Sequence, residues 1–227
     1  MIICIANLLT PDALRKVRDL LEGARFADGK ATAGWHARLV KHNEQAVASH
    51  AATQEAAALV TAALHGNAVF RAAVLPRRIR PVLFARYGEG RSYGAHVDDA
   101  LMGLDDPAGP VRTDIAVTVF LAPEDAYDGG ELVIDSAAGE QAFKLGAGDA
   151  IAYPATTLHR VEPVTRGERL VAVTWVQSLV RDPAAREVLF DLDAARRDVF
   201  EREGKGGNAF DLISKSHANL LRRWAES

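Results

Sequence analysis

The chain has 227 residues, 48% hydrophobic and 25% charged, enough for one substantial domain whose core needs neither disulfides nor a structural metal. A net charge of −3 removes the electrostatic basis for nucleic acid as the default partner, and the lone cysteine, Cys4, excludes an intramolecular disulfide and a thiolate metal cluster. No apolar run approaches the roughly 20 residues of a membrane span, and the N-terminus shows no signal peptide, so no membrane partner and a cytoplasmic, reducing setting are expected.

In chain order, Ile2-Ile3-Cys4-Ile5 reads as a strand with Cys4 buried. Thr10 caps a helix that Pro11 opens and Gly23 ends, with Leu14, Val17 and Leu21 as its apolar stripe. A second, alanine-rich helix is expected from Glu44 to Leu64, with Asn43 as its cap and Gly66 just past its end. Residues 1–76 therefore read as an N-terminal helical support region.

Residues 77–180 change texture. Runs of Val, Ile, Phe and Thr alternate with Gly, Pro and Asp, and predict strands at Ile79–Tyr87, Asp114–Leu121, Glu131–Ile134, Gln141–Leu145, Ala150–Tyr153, Leu158–Pro163 and Arg169–Leu179. Many short antiparallel strands joined by tight turns suggest a jelly roll. Residues 181–227 return to helix as a two-helix appendage. Asp182 caps and Pro183 opens a helix to about Glu203, Gly204-Lys205-Gly206-Gly207 breaks it, and a last helix runs from Ala209 to Trp224. Both are amphipathic, with Val188, Leu189, Leu192, Val199 and Phe200 on one and Leu212, Ile213, Leu220 and Leu221 on the other. They are suited to cover the barrel or to join a second copy as a homo-oligomer.

Chemistry concentrates in the middle zone. In Tyr93-Gly94-Ala95-His96-Val97-Asp98, His96 and Asp98 lie two apart on an extended segment and so share one side. An imidazole and a carboxylate suit a first-row divalent metal, and His159 on a later strand completes a two-histidine, one-carboxylate set with open positions, as non-haem iron oxygenases need. Ten residues on, Arg169 opens the next strand, where a buried guanidinium offers a bidentate grip on a dicarboxylate.

The order His-x-Asp, distal His, then Arg resembles the Fe(II)/2-oxoglutarate dioxygenases of the prolyl 4-hydroxylase superfamily, and in particular their bacterial PKHD-type branch. Arg86-Tyr87-Gly88-Glu89-Gly90, Phe120-Leu121-Ala122-Pro123, Tyr127-Asp128-Gly129-Gly130-Glu131-Leu132, Gly148-Asp149-Ala150 and Tyr153-Pro154 ahead of His159-Arg160-Val161 carry the likeness, which spans nearly the whole chain. It implies a double-stranded β-helix with N-terminal helices packed on it. It also implies Fe(2+) on His96, Asp98 and His159, 2-oxoglutarate on Arg169 with Tyr87 in the same pocket, and L-ascorbate as reductant. The expected reaction is hydroxylation of a small molecule, such as a siderophore-related compound, or of a peptidyl residue by O2, with release of succinate and CO2. Halogenating relatives lack the carboxylate that Asp98 supplies. The alternative is a cupin-like metal-binding module, a sensor or isomerase without dioxygenase activity, which has no need of Arg169.

Among the other candidates, His36, His42, His50, His65 and His217 lie outside the barrel pattern, and His50, His65 and His217 read as solvated or locally bonded. The Gly-, Pro- and Asp-rich segment 99–112 reads as an acidic loop and a substrate lid rather than a calcium site. Trp35 either lines the pocket or packs.

Overall fold

The computed structural model describes residues 1–203 and 207–226. Its N-terminal quarter holds β1 (Ile3–Ile5), α1 (Pro11–Glu22), β2 (Phe26–Asp28), β3 (Lys41–His42), β4 (Glu44–Ala46), α2 (Ala51–Gly66) and α3 (Ala68–Val74). The middle holds β5 (Pro76–Ile79), β6 (Leu83–Tyr87), β7 (Ser92–His96), β8 (Leu101–Met102), β9 (Val111–Arg112) and β10 (Ile115–Phe120). There follow β11 (Tyr127–Gly129), β12 (Leu132–Ser136), β13 (Gly139–Phe143), β14 (Ala150–Pro154), β15 (His159–Val161), β16 (Val164–Gly167) and β17 (Arg169–Ser178). Helices α4 (Pro183–Glu203) and α5 (Asn208–Trp224) close the chain.

Two sheets form a jelly roll. The larger runs β1-β14-β10-β17-β6-β4-β2, with β5 also paired to β17, and the smaller runs β13-β12-β15-β7-β3. Its centre explains the long apolar run at residues 115–120. Every residue of β10 is buried because both faces are covered. Ile115, Val117 and Val119 meet Val17, Val60, Leu64 and Phe70 of the helices, while Ala116 and Phe120 meet Leu132, Ile134 and Val161 of the smaller sheet. Alternation of period two sorts one strand into two cores.

Several expectations hold and several are corrected. Thr10 caps α1 by accepting from the Ala13 amide at 3.2 Å, and Asp182 accepts from the Ala184 amide at 2.8 Å at the start of α4. The N-terminal region is not only helical, since it donates β1 to β4 to the two sheets. The alanine-rich helix starts at Ala51 with His50 before it, not at Glu44. Glu44 and Gln45 instead pair with Arg86 and Ala85 of β6, and the Arg86 guanidinium binds the Glu44 carboxylate at 2.9 Å. Tertiary pairing overrides helix propensity there. The Ile79–Tyr87 strand divides at Pro81, which has no N–H to give a ladder, and both pieces pair with β17.

Cys4 is exposed, not buried. It lies on the edge strand β1, where Ile5 turns into the helical core and Cys4 takes the opposite face. His217 is buried rather than solvated. It sits between α5 and α4 near Asp193 and Arg196, and burial lowers its imidazole pKa. In α4, Leu189 is buried whereas Val188 and Phe200 are exposed. The predicted break at 204–206 lies outside the described residues.

The 99–112 segment is held in place. β8 pairs with β9, Arg78 donates to the Ala108, Gly109 and Pro110 carbonyls, and Arg80 binds Asp106 at 3.1 Å. No single helix among the described residues is long and apolar enough to cross a membrane. The bent pair α2–α3 is apolar because Val60, Leu64, Phe70 and Val74 belong to the core.

Candidate metal centre

Strand register brings the distant histidines together. His96 on β7 stands directly opposite His159 on β15, and their ring centroids are 4.3 Å apart. Asp98 lies two residues beyond His96, and its Oδ1 is 3.9 Å from His159 Nε2. One ligand atom from each of His96, Asp98 and His159 falls within 4.8 Å of the others.

Backbone carbonyls fix the ring tautomers. His96 Nδ1 lies 2.8 Å from the Gly94 carbonyl and His159 Nδ1 lies 3.1 Å from the Thr157 carbonyl. A carbonyl only accepts, so both protons sit on Nδ1 and both Nε2 lone pairs are free for a metal. Burial, with His159 beside it, lowers the His96 pKa to about 3, which keeps the ring neutral at ordinary pH.

Burial raises the Asp98 carboxyl above the usual carboxylate range, and its Oδ2 has no hydrogen-bond partner. The Trp175 indole lies beside this carboxylate, but neither its Nε1 nor Asp98 Oδ2 finds a partner of hydrogen-bond geometry. Two free imidazole nitrogens and an orphaned buried carboxylate oxygen are what a divalent cation satisfies, so the donor set fits Fe(II).

Arg169 stands across the roll on β17, facing Tyr87 of β6 in register. It is 1% exposed, and its Nε has no acceptor. Its guanidinium carbon is 5.1 Å from the Tyr87 ring centroid and 5.6 Å from that of Phe120, and the Tyr127 hydroxyl nearby is also without a partner. A buried cation with aromatic walls and, among the described residues, no counter-charge is costly unless an anion arrives. A pocket of about 780 Å³, open water included, joins Arg169 and Tyr87 to His96, Asp98 and His159.

The sequence reading missed residues that share this pocket. Lys41, Asn43 and Gln45 alternate along β3–β4, are 5%, 1% and 7% exposed, and all line it. Their signal was polar residues at period two, masked by the alanine-rich run that follows. Trp175 and Thr118 line it as well. Trp35 is 82% exposed next to the pocket-lining Gly34, so it neither packs nor lines the pocket. His50 and His65 are exposed, as expected; His36 and His42 are exposed too, although His42 lies on β3 of the smaller sheet rather than outside it.

Residues 82–177 match the family model of the 2OG-Fe(II) oxygenase superfamily, and the class of protein is therefore an Fe(II)- and 2-oxoglutarate-dependent oxygenase. Residues 184–226 match the C-terminal domain of PKHD-type hydroxylases. A PKHD-type hydroxylase of Synechococcus elongatus is 52% identical over 226 residues and one of Acaryochloris marina 54% over 227, with 100% of each chain covered in both pairs. The chain belongs to the PKHD-type hydroxylases. Among solved structures, an oxidoreductase of the 2OG-Fe(II) oxygenase family from Burkholderia pseudomallei shares the fold (TM-score 0.52, 16% identity, 77% of this chain and 82% of that one). So does a prolyl hydroxylase from Trichoplax adhaerens in complex with a peptide fragment of hypoxia inducible factor (TM-score 0.53, 14% identity, 77% and 82%). The protein is an enzyme, a hydroxylase whose cofactors are Fe(2+) and 2-oxoglutarate, with ascorbate the reductant typical of the family.

Proposed function

We propose that His96, Asp98 and His159 hold the ferrous ion, and that Arg169 with Tyr87 holds the distal carboxylate of 2-oxoglutarate, for hydroxylation of a substrate C–H by O2 with release of succinate and CO2. The observation that carries this reading is Arg169, fully buried and without a counter-charge among the described residues, in one pocket with the three candidate ligand side chains. Once bound, the iron supplies the oxidative chemistry. The chain's own share is placement. The Gly94 and Thr157 carbonyls orient the two rings, the guanidinium offers two parallel N–H donors to a carboxylate, and the buried Tyr87 and Tyr153 wall the pocket.

The substrate is a small molecule or a peptidyl residue entering past Trp35, Val97 and Leu158, which are exposed beside residues of the pocket wall. A reducing, cytoplasmic setting suits a ferrous centre. We assign residues 1–76 as the support region, 77–180 as the dioxygenase core and 181–227 as the appendage, and the matches to 82–177 and 184–226 support the last two.

Incubation of anaerobically purified protein with Fe(II), 2-oxoglutarate and then O2 tests the reading through succinate formation. Wild type produces succinate, and Arg169→Lys, which keeps the charge but loses the fork, needs at least about tenfold more 2-oxoglutarate, a change of about 1.4 kcal/mol. Neither turnover nor 2-oxoglutarate binding in the wild type would leave the cupin-like reading in its place.

A further inference from the structure

Lys41 is a buried cation of the pocket that the reaction described above does not use. It lies on β3, 5% exposed, and lines the same pocket as the metal-ligand candidates and Arg169. Its Nζ donates to Thr32 Oγ1 at 3.0 Å, and the Thr32 hydroxyl is held in turn by Gln45. The ammonium also lies 5.2 Å from the centroid of the Tyr93 ring, and the same ring stacks on His96 with centroids 3.6 Å apart. Lys41 therefore stands one aromatic ring away from the metal site. Among the described residues no carboxylate comes within 4.0 Å of it, and one neutral hydroxyl serves an ammonium with three protons to give.

That arrangement is expensive. A lysine with no role inside a fold sends its ammonium to water, and burial here pulls the pKa down to about 8 against the weaker pull of Asp98 and Asp28. The buried charges of the pocket are two cations, Lys41 and Arg169, and one carboxylate, Asp98. Asp99 also lines the pocket but is exposed at its mouth, where water screens it. Loading does not remove the excess, because the two negative charges of 2-oxoglutarate offset the two positive charges of a ferrous ion. One positive charge is left over.

We infer that Lys41, steadied by Thr32 and Gln45, is the specificity-determining group for the substrate, and that the substrate presents a carboxylate or comparable singly charged anion close to the carbon that is hydroxylated. This deepens the dioxygenase reading and rests on it for the word substrate; the anion site itself is a property of the chain.

Trifluoroacetate is a suitable probe, followed by fluorine NMR at pH 7 on the full-length protein loaded with Zn(II) and saturated with N-oxalylglycine, an unreactive 2-oxoglutarate analogue that occupies Arg169. Wild type is expected to bind the probe saturably. Lys41→Met weakens that binding at least tenfold while N-oxalylglycine affinity stays within twofold, and Lys41→Arg retains probe binding. Thr32→Val, at an exposed position, provides a milder second variant with a severalfold loss should Lys41→Met fail to fold. Absence of probe binding in the wild type, equal binding in Lys41→Met, or displacement of the probe by N-oxalylglycine overturns the inference. So does a loss of N-oxalylglycine affinity in Lys41→Met, which would make Lys41 a co-substrate residue. Failure of N-oxalylglycine to bind wild type would instead overturn the dioxygenase reading, and Lys41-dependent probe binding in its absence would leave the anion site standing.

Discussion

At the scale of single residues, the site is a set of groups left unsatisfied in pairs that only particular ligands can complete. Asp98 Oδ2 lacks a donor, and both imidazole Nε2 atoms are freed by the carbonyls on Nδ1. Asp98→Ala removes the one anionic member of the proposed ligand set. It should cost more than the roughly 10–100-fold that loss of an outer partner costs in metal affinity, read by Fe(II) titration and succinate formation. His50→Ala, at an exposed position, should leave both unchanged.

Protonation gives a second check. An ordinary histidine titrates near 6.5, whereas His96 stays neutral down to about pH 3. Between those values the unfolded chain carries a proton that the native metal-free protein lacks, so the His96 contribution to stability falls as pH drops from about 6.5 toward 3. The slope is at most about 1.4 kcal/mol per pH unit. The Asp98 carboxyl, raised by burial, works in the opposite sense, so the comparison is between wild type and His96→Asn. The variant should lose less stability on acidification, and equal slopes in urea titrations at pH 6.5 and 5 would contradict the assignment.

The His96–Asp98 pair was legible because a two-residue spacing on an extended segment fixes side-chain direction, whereas His159 and Arg169 were read from the order of the motif and its resemblance to a family. Lys41 and His217 were not, since their burial depends on which distant strand or helix covers them.

At the scale of elements, the position of the site depends on how closely β7 and β3 approach. The Gly94 amide donates to the Val40 carbonyl at 2.9 Å, and a Cβ on Gly94 would lie 2.8 Å from Val40 Cβ. Because the Gly94 carbonyl also holds His96, any shift of this strand is passed to a proposed metal ligand. Gly94→Ala should weaken Fe(II) binding by roughly 10–100-fold, the range for a displaced outer partner. Gly66→Ala, where a Cβ meets nothing within 4 Å, should be neutral or stabilise by about 0.4–1 kcal/mol. Isothermal titration with Fe(II), together with thermal melts, separates the two.

The long strands of the core were legible, because runs rich in Val, Ile, Phe and Thr such as residues 115–120 and 169–178 stand out by composition and length from the Gly, Pro and Asp around them. The two- and three-residue strands β2, β3, β4, β8 and β9 were not. A segment that short has no measurable period and exists through its partner, as Glu44 and Gln45 do through β6.

At the scale of the whole molecule, the appendage and the jelly roll share their packing. Val180, Ala185 and Leu189 bury against Leu75, Leu220, Leu221 and Trp224, while Arg112, at the foot of the 99–112 hairpin, binds Asp114 at 2.7 Å and Glu226 at 2.8 Å. The end of the chain is thereby tied to the strand that leads into the central β10. Thermal unfolding should follow as one transition, and ligands bound in the pocket should stabilise the appendage with the core. A ligand that binds only the native state at a hundredfold excess over its Kd adds about 2.7 kcal/mol. For a chain of this size that is a rise in Tm of roughly 5–10 °C. N-oxalylglycine added to Zn(II)-loaded wild type should give this shift. At the same concentration Arg169→Lys should keep the shift due to zinc but lose most of the one due to N-oxalylglycine, because the distal carboxylate loses its fork. Asp98→Ala should lose both, since the analogue's other end depends on the metal. Scanning calorimetry reads all three, and a shift confined to one of two separate transitions would show that the appendage unfolds independently of the site.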